Sequence, residues 1–522
     1  MSPRSSFASL RRGAFSVILL GLAAAPASAQ WPYLMSRTPS GSTATGMSAS
    51  PSVSGDGRFV AFGSVASDLV ADDTNGRADV FVHDRVNHTT VRVSVDSYGR
   101  QANQSGGSAK ISANGRWVSF FSYANNLVPN DTNGKEDIFV HDLHTGETTR
   151  VSVDSSGVEA NGSSRNSAIS GDGSRVVFTS DASNLVPGDE NSTLDVFLHD
   201  RATGTTVRVS LDEAGNELPT YSGCLDISAN GLWVSFMAGE GYDDSDGTDS
   251  WQRYARYEVA TGIVTYFFNA YEKHVGTSIS EDGTTIWGTA KHHAPDHYWH
   301  VAKITESDID LVTVGLGANG HSSRPVVSGD GSQVVFRSEA SNLVGDDTNS
   351  EEDVFSLGIH TMKVHRVSQR VIQGTVHEAD DHSGYGWMAI SEDGRYAAFS
   401  SYATNLTDAD TNGTYDVFLG MTGGGQKLDL WYDPPFLYPE EQFQVVIEGG
   451  EPRTLGLQFI LSINGVPFTR LVKTGRFNSE ARWVRRGTVP RGLSGLTLTF
   501  ASFALGPFGK VLMSPRQDVE FR

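Results

Sequence analysis

The 522-residue sequence predicts an all-β protein: a seven-bladed β-propeller of four-stranded antiparallel blades, its ring closed by the N-terminal strand, then a small β-sandwich. Three observations predict it. The pattern Ser-x-Asp/Asn-Gly recurs with its serine at 54, 112, 170, 228, 280, 328 and 391. Around each copy the same short apolar runs return in the same order, with no helix-period stretch between them. The last copy lacks a fourth run, and the residues after position 30 supply a matching one.

In chain order, residues 1–29 come first. Arg4, Arg11 and Arg12 precede the apolar run Ala14–Ala25, and Ala27-Ser28-Ala29 supplies the small residues of a cleavage site. That order is a secretory signal peptide, cut after Ala29. The run is too short to span a bilayer, and no longer apolar run follows, so the expected product is exported, periplasmic or secreted, and not transmembrane.

Residues 30–422 carry the repeat. In the second copy the four strands are 108–112 (SAKIS), 116–122 (RWVSFFS), 137–142 (DIFVHD) and 148–154 (TTRVSVD). They are rich in Val, Ile, Phe, Trp and Thr and bounded by Gly, Asp and Asn, as strands are. The Ser-x-Asp-Gly link reads as a tight hairpin, because Gly tolerates positive φ and Asp bonds its own backbone. The seventh copy stops at 416–420 (DVFLG), while 33–46 lines up with 91–104 of the first repeat. Tyr33 to Arg37 is therefore expected to complete blade seven and to remove an exposed edge.

Ser-x-Asp-Gly, then 79–84 (DVFVHD) or its equivalents, then Thr-Gly and Arg-Val-Ser, resembles the TolB-like, WD40-like propeller repeats of bacterial envelope proteins over residues 33–421. The resemblance implies the propeller fold. It leaves function open, since such propellers serve as binding platforms and as domains of hydrolases and lyases. After a Gly-rich linker at 423–426, residues 427–522 hold strand candidates at 443–447, 457–463, 496–504 and 511–514. They suggest an Ig-like β-sandwich, similar to the C-terminal β domains of many secreted bacterial proteins.

Charge excludes some partners. With 61 acidic and 40 basic side chains the net charge is −21, which argues against nucleic acid and anionic lipid. Residues 30–426 hold 52 acidic against 25 basic side chains, whereas 427–522 hold 9 against 12, so the acid excess belongs to the ring. A single cysteine, Cys224, excludes an internal disulfide or a CxxC site and reads as a core residue.

The second-to-third strand loop carries candidate chemistry. Five copies place side-chain oxygens at i, i+2 and i+6: Asp73, Asn75 and Asp79; Asp131, Asn133 and Asp137; Asp189, Asn191 and Asp195; Asp347, Asn349 and Asp353; Asp410, Asn412 and Asp416. Hard oxygen donors suit calcium better than zinc or copper, with carbonyls and water completing the shell. The same residues equally serve as a plain turn that satisfies its own backbone. Both readings stand on the sequence, and five copies favour a structural role in either.

Two copies depart from the pattern. Residues 241–257 are acidic and then aromatic, and 291–300 bring His292, His293, His297 and His300 around Asp296. Imidazoles at that density suggest a transition metal, although a diverged loop and strand explain them as well. The link into the seventh copy adds His377, Asp380, Asp381 and His382. All these long loops are expected on one face of the ring, where binding usually happens. No GxSxG elbow is present. The expected function is an exported, non-enzymatic binding or scaffold module for a protein or glycan of the envelope, calcium-stabilised at the loops. The alternative is a polysaccharide lyase or hydrolase using His and Asp of the loop face.

Overall fold

The computed structural model describes residues 32–239, 252–267, 276–290, 297–372, 375–408 and 410–423, together with the backbone of strands between 429 and 521. Gln30–Lys427 form one compact unit, and Leu428–Arg522 belong to a second. Residues 1–29, with the proposed leader, lie outside the described residues, as do 241–251, 291–296 and the side chain of Cys224. The strands of the second unit pair into a three-stranded and a five-stranded antiparallel sheet.

The described part of the first unit forms seven four-stranded antiparallel sheets, the blades of a propeller. Six are built from strands consecutive in sequence. The seventh orders Ala389–Ile390, Tyr396–Ser401, Asp416–Met421 and finally Tyr33–Leu34, so the N-terminal segment closes the ring as the repeat alignment predicts. Tyr33 pairs with Leu419 and Leu34 with Phe418.

The repeat lines map onto recurring contacts. In the Ser-x-Asp-Gly hairpin, the Ser54 hydroxyl donates to Asp56 at 2.7 Å and accepts the Phe59 N–H, while Asp56 accepts the Arg58 N–H. The hairpins also bond to one another, Gly55 N–H to the Ala113 carbonyl and Gly171 N–H to the Ala229 carbonyl, linking neighbouring blades. Phenylalanines of the second and third strands pair across the sheet, as in Phe62–Phe81 and Phe399–Phe418, with ring centroids 6.1 and 5.9 Å apart. Their burial joins seven apolar clusters among the described residues, each shared by two adjacent blades. Blades four and five break the pairing: Ala255 and Gly288 stand at phenylalanine positions, and Tyr254 fills the space beside Gly288.

The first strands surround a cavity of about 170 Å³ to which every blade contributes, from Ser52 through Lys110, Ala168, Leu225, Thr277 and Pro325 to Ala389. In four of these strands a bulge places Ser50, Ser108, Asn166 and Arg324 at φ of 55, 49, 48 and 54°. The long second-to-third loops and the interblade links lie together on the opposite face from the hairpins. Gln101 of a link reaches Asp73 of a loop at 2.8 Å, and Asn126 of the next loop reaches the Gln101 carbonyl at 2.9 Å.

Candidate functional site

On this loop face the predicted i, i+2, i+6 residues do come together, but the asparagine plays a different part. Asn133 Oδ1 accepts the Lys135 N–H at 2.7 Å, an Asx turn, and its Nδ2 donates to Asp137 Oδ2 and to the Ala160 carbonyl, both at 3.0 Å. Asn75, Asn191, Asn349 and Asn412 repeat the arrangement. Three oxygen donors per loop were expected; each loop aims two carboxylates inward and spends its amide oxygen on the turn.

A third acid and a cation complete the arrangement, and neither was expected from the sequence. Asp131, Asp137 and Glu159 bring carboxylate oxygens within 4.8 Å of one another, as do Asp189, Asp195 and Glu217, and Asp347, Asp353 and Glu378. The space between them belongs to an arginine of the fourth strand. Arg150 Nη1 lies 3.4 Å from Asp137 and 3.7 Å from Asp131, and it pairs closely with Glu159. Arg208 and Arg366 do the same in blades three and six. In blade one Gln101 replaces the glutamate and donates to Asp73 and Asp79 at 2.8 and 2.9 Å, with Arg92 3.9 Å from Asp73. The serine two residues after each arginine donates to the innermost aspartate, Ser152 to Asp137 at 2.5 Å. The recurrent Arg-Val-Ser therefore serves the acidic loop; the constant nine-residue step from Arg150 to Glu159 and from Arg208 to Glu217 was the signal available.

The electrostatics follow from burial. Burial pushes Asp131 and Asp189 up to about 6, assisted by neighbouring carboxylates and opposed by Arg150 and Arg208. Burial also raises Asp79, Asp137 and Asp195, against the serine hydrogen bonds. Glu159 is held low: burial acts upward, but Thr132 hydrogen bonds and the Arg150 charge outweigh it.

Blade seven departs from the others. Its fourth strand is the N-terminal segment, where Leu34 stands at the arginine position and Thr43 at the glutamate position. The Ser36 hydroxyl and the Asn412 amide still donate to Asp416, at 2.6 and 2.8 Å.

A second constellation sits where the link enters blade seven. Asp381 Oδ1 lies 2.5 Å from His382 Nδ1, and His382 Nε2 contacts the Tyr415 hydroxyl. Tyr385 stacks on Tyr415 at 4.4 Å, Tyr402 meets Tyr415 edge-on at 5.3 Å, and His382 lies parallel to Tyr402 at 5.7 Å. Tyr385 is 47% and Tyr402 36% exposed. Glu351, Asp381 and His382 also offer ligand atoms within 4.8 Å of one another, a group able to hold a metal. Burial, with Tyr385 and Asp381, raises the Tyr415 hydroxyl above its ordinary value. The structure thus joins Asp381 and His382 of the predicted set. Asp380 instead bonds Thr404, and His377 is exposed on the 369–378 hairpin. The tyrosines were missed because they come from separate segments.

Of the blade-five histidines, His297 and His300 are described, and they stand in different surroundings. His297 is exposed, whereas His300 is fully buried and bonds Thr313 at 3.0 Å, taking the place that Asp137 and Ser152 hold in blade two. His292, His293 and Asp296, like the acidic stretch 241–251, lie outside the described residues. Inside the ring, Lys110 Nζ and the Arg324 guanidinium each lie 5.3 Å from the Trp387 ring. Burial raises Asp226, also lining that cavity, to about 6 despite the Lys110 charge.

No family model and no curated protein matches the sequence. Among solved structures, TolB from Acinetobacter baumannii is 12% identical over 66% of this chain and 76% of its own, with a TM-score of 0.34. A candidate TolB from Agrobacterium tumefaciens is 14% identical over 72% of this chain and 90% of its own, with a TM-score of 0.33. Hydrazine synthase of Kuenenia stuttgartiensis is 15% identical over 72% and 83%, with a TM-score of 0.29. None of these likenesses carries an activity to this chain. Among the described residues no helix is long and apolar enough to cross a membrane.

Proposed function

We propose that the chain is an exported, non-enzymatic propeller that binds a protein or glycan of the envelope or exterior on its loop face, at the Tyr385–Tyr402–Tyr415 cluster. The exposed, mutually stacked tyrosines around His382 carry the reading. Tyrosine contributes large contact area at small entropic cost and is enriched among residues that dominate binding energy. The basic start and apolar run of residues 1–29 support export. Calcium enters as a stabilising ion of the acidic loops, whose carboxylates are hard oxygen donors.

The test is capture of envelope proteins and glycans on immobilised mature protein, with Tyr385→Ala and Tyr402→Ala beside the parent. The captured partner should bind each variant at least about tenfold more weakly, as expected for contact residues. Equal affinity of both variants for every captured partner would refute the assignment of the cluster.

A further inference from the structure

We infer that blade seven binds one divalent cation, calcium, between Asp410 and Asp416, at the point where an arginine sits in blades one, two, three and six. The inference rests on the reading of the acidic loops as cation sites and narrows it from five loops to one.

The repeat provides its own internal comparison. Arg92, Arg150, Arg208 and Arg366 each pair in register with a third-strand phenylalanine, Phe81, Phe139, Phe197 and Phe355. The register equivalent in blade seven is Leu34 opposite Phe418. Four loops thus have a built-in cation among their acids, while the fifth keeps the pair of aspartates and loses the cation. Asp416 is 0% exposed. Asp410 Oδ2 is shut off from solvent and has no hydrogen-bond partner among the described residues. Among the described residues neither aspartate has a basic side chain acting on it; Asp410 feels Asp380, and Asp416 feels Asp410. An uncompensated buried carboxylate is costly, and it is relieved by a proton or a cation.

The donors select the ion. Two carboxylates offer a double negative charge in hard oxygens, and Thr43, 6% exposed, puts a small hydroxyl side chain where blade two has Glu159. Exchanging Glu for Thr at that position removes a long side chain, which suits an ion that keeps water in its shell. Calcium tolerates such an irregular oxygen shell better than magnesium.

The experiment is isothermal titration of the whole EDTA-treated mature protein with calcium chloride, with thermal unfolding at the same concentrations. One equivalent is expected, with a melting temperature that climbs with calcium. Asp410→Asn, nearly isosteric, should weaken binding by at least about tenfold. Leu34→Arg with Thr43→Glu rebuilds the blade-two arrangement and should abolish uptake while circular dichroism stays unchanged. Uptake of five equivalents would overturn the restriction to blade seven, and one equivalent indifferent to Asp410→Asn would overturn the assignment to that blade and leave calcium at another loop. No heat and no change in melting temperature at millimolar calcium would overturn both.

Discussion

Arg150 and Arg100 show how much position decides the worth of an ion pair. Both face aspartates at short range, but the Arg150 side chain is 8% exposed among three acids, while Arg100 is 72% exposed beside Asp96. Removing the buried partner strands carboxylates in a poorly solvated site, a loss of about 3–5 kcal/mol, whereas a surface pair contributes about 0–1 kcal/mol. Arg150→Leu is therefore expected to lower the unfolding free energy in denaturant by several kcal/mol, and Arg100→Ala to leave it nearly unchanged. Comparable losses in the two variants would contradict the cage. At this scale the sequence was half legible. The i, i+2, i+6 spacing exposed the aspartates because one loop carries them. The arginine and glutamate arrive from the fourth strand and the following link, so local spacing could not show that the loop already holds a positive charge. The tyrosines were hidden for the same reason, with Tyr385, Tyr402 and Tyr415 brought together only by the ring.

The hairpin is the element the sequence described best. Its glycine was expected for positive φ, and Gly57, Gly115, Gly173, Gly231 and Gly331 lie between 65 and 77°. The structure adds a second reason in some blades. A Cβ on Gly173 would stand 2.1 Å from the Trp117 ring of the preceding blade, while one on Gly331 would meet nothing within 4 Å. Left-handed backbone alone costs a non-glycine residue about 1–2 kcal/mol. Gly331→Ala is expected to lose about that much, and Gly173→Ala measurably more, since the tryptophan must also move. Chemical denaturation of the two variants decides this, and equal losses would mean that the interblade contact has no energetic weight. What sequence could not supply was the neighbour. Intervals of 58 residues locate the turns, but which aromatic lies over which glycine depends on how adjacent blades pack.

Across the whole molecule the acid excess of the ring takes on a different meaning. Asp79, Asp137, Asp195, Asp353 and Asp416 are all 0% exposed, so a good part of the negative charge seen in composition lies inside, much of it balanced by arginine, rather than on a charged face. Blade count and closure were legible because a propeller repeats its text; blades four and five were recognised by their hairpins, although their loops had lost the pattern. Closure also carries a prediction. Met35 N–H and the Ser36 hydroxyl bond Val417 and Asp416, and this pairing covers the outer edge of Asp416–Met421. Deleting residues 30–44 from the mature chain should lower the melting temperature and promote self-association through that freed edge. A truncated protein that stays monomeric at the parent's melting temperature would show the closure to be dispensable. The same latch orders events in time. Ser36 and Asp416 are 380 residues apart, so most of the polypeptide must be synthesised before the two can meet. Bringing such distant ends together is the step most opposed by chain entropy. Six blades can assemble progressively from adjacent text, while the seventh waits for the first residues to return to the last.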